Sequence, residues 1–155
     1  MSESILKKAL LDSLKRIVAE IKEGVRRAPE AHRLRMNTHR FPWALIEEAT
    51  KKAREVIEKL EGKIEDKAFR GELNARLLFL EWLIRRTDPF RLSETMEHVL
   101  RALESFRSLP DLTEEENQLL ETAISNFRPV YEMVEETTRR LLPPAWQRQT
   151  PAMPS

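Results

Sequence analysis

Apolar residues recur along this chain at steps of three and four, broken only by short polar or proline-bearing stretches, and that period predicts helices throughout. A first helix is predicted from about Ser4 to Arg27, with Ile5, Leu6, Leu10, Leu14, Ile17, Ile21 and Val25 along one stripe. Leu10, Leu14, Ile17 and Ile21 would also suit a short coiled-coil seam. Pro42 fits the first turn of a second helix that runs to about Leu60, and Gly62 terminates it. A third helix is predicted from about Ile64 to Arg86. Phe69, Leu73, Leu77, Leu80 and Ile84 line one side of it, and Leu78, Phe79, Trp82 and Leu83 widen its apolar arc, so it is expected to be central, with Trp82 in the core.

Thr87-Asp88-Pro89 reads as a stop, then a cap, then a proline at the first helical position, starting a fourth helix that ends near Ser108. Leu92, Met96, Val99, Leu100, Leu103 and Phe106 form its buried stripe. Thr113 and Glu116 have the spacing of a capping box, which starts the last helix. That helix meets Pro129 with its apolar period intact on both sides, so the proline is expected to bend it rather than end it.

The predicted fold class is therefore all-α: an irregular up-and-down bundle of about five helices over residues 1–142. Residues 143–155, PPAWQRQTPAMPS, hold four prolines and almost no charge, and are expected to be an extended or disordered tail anchored at most by Trp146. The three glycines suit long helices better than a sheet with tight turns. The absence of cysteine excludes disulfides, thiolate metal sites and a cysteine nucleophile. Charges interrupt the N-terminal helix every few residues, so it has neither the apolar core of a signal peptide nor a span of ~20 apolar residues. The expected location is cytoplasmic, with no membrane partner.

Charge changes the picture most. A net charge of +1 conceals a segregation: residues 26–40, RRAPEAHRLRMNTHR, hold five arginines against one acid, whereas residues 111–142 hold eight acids against three arginines. The arginine segment lies between two helical stretches, carries Pro29, and runs into Phe41, Pro42 and Trp43, so it is read as an irregular connection and as the binding site. Its candidate residues are Arg26, Arg27, Arg33, Arg35, His39, Arg40 and Trp43. The planar guanidinium fork suits carboxylate or phosphate, and Phe41 and Trp43 could stack on a base. The two charged segments could also pair with each other, within one chain or between copies.

Few catalytic motifs accompany this segment. No Glu stands three residues before His32, His39 or His98, and there is neither HExxH nor a glycine-rich phosphate loop, so no metal and no cofactor are expected. Glu97-His98-Val99-Leu100-Arg101-Ala102 resembles the phospho-acceptor motif of histidine phosphotransfer domains, which implies an exposed acceptor imidazole at His98. That family favours a small residue before the histidine and glycine after the basic residue, where this chain has Glu97 and Ala102. Arg27 to His32 and Arg91 to His98 resemble the Arg-x(4–6)-His signature of helical HEPN ribonucleases, with Pro29 interrupting the first pair.

The leading expectation is non-enzymatic: a helical interaction module, subunit or adaptor, that docks through the arginine segment on an acidic protein surface or on itself. A nucleic-acid-binding accessory protein using the same residues is the alternative, and phosphotransfer through His98 the second alternative.

Overall fold

The computed structural model describes residues 2–24 and 28–142, which are helices joined by turns and short irregular connections, with no strand among them. Among the described residues six α-helices follow in order: α1 Ser2–Gly24, α2 Ala28–Met36, α3 Trp43–Leu60, α4 Lys67–Arg86, α5 Leu92–Ser105 and α6 Glu114–Leu141. Short 3-10 turns cover Thr38–Arg40, Glu61–Lys63 and Phe106–Ser108. The expected tail, residues 143–155, lies outside the described residues.

The sixth helix is α2, which falls inside the segment expected to be an irregular connection. Pro29 does not prevent it, because it stands in the first turn, where a helix has no internal acceptor for the missing N–H. Ala31 and Leu34 face inward and are buried, so even this basic stretch contributes to the core.

The start of α5 also differs from expectation. Thr87 adopts the left-handed conformation that closes α4, φ 46°, but Asp88 does not cap the next helix. Its carboxylate instead accepts from the Phe90 amide at 3.0 Å, making a local turn that delays α5 until Leu92. Pro42 stands at the N-cap of α3 rather than in its first turn, and α4 begins at Lys67 rather than near Ile64. Thr113 and Glu116 make a full capping box, and Asp66 caps α4 through the Phe69 amide. Pro129 lies within a continuous α6. Proline cannot bond the Ser125 carbonyl, but both residues are exposed, so that oxygen is open to solvent and the helix continues.

The main core is assembled from α2 to α6. Phe106, Phe127, Ile46, Ile57, Leu77, Leu80, Leu92, Met96 and Leu120 are among its largest fully buried side chains. α4 sits centrally, packed on α1, α3 and α5, while α6 lies across α3 and α5 and meets α2 near its C-terminal end. α1 is peripheral. It packs chiefly on α4, and its buried Ile17 and Ser13 lie outside the main apolar cluster. The contact is tight because Gly71 of α4 has no side chain: a Cβ there would lie 2.7 Å from the Ala9 Cβ and 2.8 Å from Ala9 and Leu10 backbone atoms. Trp82 departs from expectation. It is 38 % exposed, stacked on Phe79 at 5.8 Å with the Arg86 guanidinium 4.7 Å over its ring, because α4's apolar arc is wider than its neighbours cover.

Tyr131, the chain's one tyrosine, rests between α6 and α5 with its hydroxyl donating to Glu97 at 3.2 Å. Burial and the Glu97 charge disfavour the phenolate and push its pKa up to about 12. Absorbance titration should therefore show phenolate forming near pH 12 rather than 10, and Glu97→Gln should bring it back down. Since the folded pKa is raised, Tyr131's contribution to stability is complete below pH 10 and is lost as the pH climbs through 12. Titration of the folded protein at the ordinary value of 10 would contradict this.

Candidate functional site

The arginine connector is built as a short basic helix bolted to the turn between α4 and α5. Ala31 and Leu34 fix which face of α2 turns inward, and Arg35, next to Leu34, is carried toward that turn. Its guanidinium grips Asp88 in a two-pronged bond, Nε to Oδ1 at 3.1 Å and Nη2 to Oδ2 at 3.0 Å, and lies 5.5 Å over the Phe90 ring. One turn on, the Thr38 hydroxyl donates to the Thr87 carbonyl at 2.6 Å. Trp43 donates its indole N–H to the Thr38 carbonyl at 2.8 Å and packs on the core, and its ring stands 6.0 Å from that of buried Phe41. Asn37 closes α2 by donating to the Arg33 carbonyl at 2.8 Å.

These bonds divide the predicted site residues. Arg35 and Trp43 hold the connector in place, Arg35 with its side chain still half exposed, and Phe41 is buried and so not free to stack on a base. Arg33, His39 and Arg40 remain exposed. Arg33 donates to the Leu141 carbonyl at 3.3 Å, on the orphan end of α6, where a cation also complements the helix dipole. Arg33 and Arg35 thus reach partners at different places on the fold. Arg26 and Arg27 lie outside the described residues. On the outer face of α2, Met36 is 67 % exposed, the most exposed of the large apolar side chains described.

The acidic surface of α6 finds other partners than this connector. Glu116 accepts from Lys63 at 2.7 Å and Glu121 from Arg107 at 2.8 Å, while Glu135 and Glu136 pair with Arg139 and Arg140 of their own helix. The lysine bond and the Thr113 amide hold Glu116 below the ordinary carboxylate range, and Arg107 does the same for Glu121. Among the described residues no arginine of the connector pairs with a carboxylate of α6.

A second polar constellation, not legible in the sequence, joins α1, α4 and α5. Arg76 of α4 is 8 % exposed and reaches Glu20 of α1 through Nη1 at 3.2 Å, with Glu72 3.8 Å away. Arg91, just before α5, shares the same Glu20 oxygen at 3.2 Å and pairs with Glu94 at 2.7 Å. The Nε of Arg76 is buried without a partner. Beside this junction a cleft of about 240 Å³ is lined by Phe69, Glu72, Arg76, His98, Arg101 and Ser105, among others.

His98 stands at that cleft and is exposed, as expected. Burial of its ring against the cleft wall, followed by the nearby Arg76 charge, lowers its pKa from the ordinary histidine value and so favours the neutral imidazole. Its neighbour Glu97 is turned away, accepting from Arg101 at 2.9 Å and from Tyr131. A neutral imidazole could take a proton, but the nearby Ser105 hydroxyl donates to the Ala102 carbonyl at 2.6 Å, so its proton is not directed to His98. Among the described residues no group of three or more histidines and carboxylates is placed to hold a metal ion, and no helix is long and apolar enough to cross a membrane. Comparison with family models, curated proteins and solved structures finds no match to this chain.

Proposed function

We propose that the protein is a non-enzymatic helical interaction module that docks an acidic protein surface on its basic connector. The observation that carries this reading is the outer face of α2 and the turn after it, which present Arg33, Met36, His39 and Arg40 to solvent on a helix that Arg35, Thr38 and Trp43 hold rigidly. A pre-ordered basic surface with an adaptable methionine loses little freedom when a carboxylate-bearing partner binds. Nucleic acid is the weaker fit, because Phe41 is buried and Trp43 packs on the core with its indole N–H bonded to Thr38, which leaves little aromatic surface for stacking.

Replacing Arg33 and Arg40 together with alanine tests the reading without touching the bonds that seat α2 on Asp88 and Thr87. Binding of a glutamate-rich peptide by the wild-type protein is expected to weaken about tenfold in the double variant and to fade with added salt. A fluorescent single-stranded oligonucleotide should show negligible binding at physiological salt. Tight, salt-sensitive binding of the oligonucleotide, lost in the double variant, would replace this reading with the nucleic-acid one.

A further inference from the structure

A groove of about 340 Å³ runs between α1 and α4, on a surface that neither the core nor the connector uses. Leu14, Val18 and Ile21 form the α1 wall, Leu78 and Trp82 the α4 wall, and buried Ile17 closes the floor. Val18 is 48 % exposed and Leu78 42 %, and exposed Leu11 extends the apolar strip by one further turn of α1. The strip is bordered by cations. Lys7 precedes Leu11, Leu14 and Val18 on one helix face, Lys15 stands a turn from both Leu11 and Val18, and Arg85 lines the groove from the other side, with Arg86 over Trp82. Lys7, Lys15, Arg85 and Arg86 pair with no carboxylate among the described residues, although most other cations of the protein do.

We infer that this groove receives a short amphipathic helix of a partner protein, its apolar stripe flanked by aspartate and glutamate. Leu14 to Ile21 spans about 10 Å of α1, enough to seat two turns of helix by anchors at i, i+3, i+4 and i+7. Four cations without carboxylate partners around an apolar slot select acidic residues at the edges of that stripe. A lipid surface fits less well, because a bilayer takes up protruding side chains and these line a concavity with a buried floor. A second copy fits less well too. The acidic helix α6 offers only Met133 as an exposed large apolar residue, and α1 set against α1 would bring Lys7 and Lys15 against their own kind. The groove is independent of the connector.

The test is selection from a displayed library of helix-forming peptides against the full-length protein, followed by synthesis of the winners and anisotropy titration. Winners are expected to carry apolar residues at helical spacing with Asp or Glu on both flanks. Binding should fall at least tenfold in Val18→Asp and in Lys15→Glu/Arg85→Glu, all exposed positions whose folding is checked by thermal melts. A peptide with its acids changed to lysine should bind the charge-reversed variant and not the wild type, and Arg33→Ala/Arg40→Ala should bind the winners normally. The inference is overturned by an absence of winners, by winners without acidic flanks, or by affinity that ignores Val18→Asp or falls with the connector variant. Phosphatidylserine vesicles that displace the peptide would overturn it in favour of a membrane.

Discussion

Gly71→Val is expected to unseat α1 while leaving the remaining helices folded. The new Cβ would sit within 2.8 Å of backbone atoms of Ala9 and Leu10, where ordinary contact needs well over 3 Å, and helix backbone cannot rotate aside as a side-chain tip can. Either helix must retreat along the whole crossing, and overpacking of this kind costs about 1–3 kcal/mol, with valine's two methyls placing it at the upper end. The cost has a ceiling. Once it exceeds the docking energy of α1, the helix detaches, because its buried residues stand outside the main core. Hydrogen exchange should then show fast amides throughout α1 and full protection in α3, α4 and α6. Unchanged protection of α1 would refute the close contact.

Leu80→Ala is expected to weaken the whole fold instead. Leu80 is completely buried on α4, the helix in contact with α1, α3 and α5, so truncation leaves a cavity that no single neighbour can fill. The loss should be about 2–5 kcal/mol in urea unfolding, with one cooperative transition and an unchanged denaturant slope. Leu78→Ala, two residues earlier on an exposed face, should change stability by less than about 0.5 kcal/mol. A similarly small effect at Leu80 would mean that α4 is peripheral.

Helix positions were legible in the sequence wherever an apolar stripe ran for several turns or a cap was written in adjacent residues, as at Thr113 and Glu116. α2 escaped because only Ala31 and Leu34 face inward, which is too short a record for a period to emerge from a run of arginines and histidines. Asp88 looked like a cap, since its neighbours Thr87 and Pro89 have that pattern; its bonds go instead to the Phe90 amide and to Arg35, which lies 53 positions away in the chain. Trp82 shows the reverse error. Its spacing marks an apolar face, but periodicity cannot say whether another element covers that face. The candidate site was legible as a concentration of charge but not as an arrangement, because which arginine is tied to the fold depends on a distant partner, Asp88 for Arg35. Glu20 and Arg76, 56 residues apart, were invisible for the same reason.

The peripheral docking of α1 bears on how the chain is made. α1 is synthesised before α4, and its principal seat there is complete only at Arg86, some sixty residues later. At about 5–20 residues per second, roughly 3–12 s pass in which Leu10, Ile17 and the rest of its apolar stripe have nothing to bury against. The lysines at positions 7, 8 and 15 then serve the nascent chain, keeping an unseated helix hydrated until the residues that will receive it have been translated.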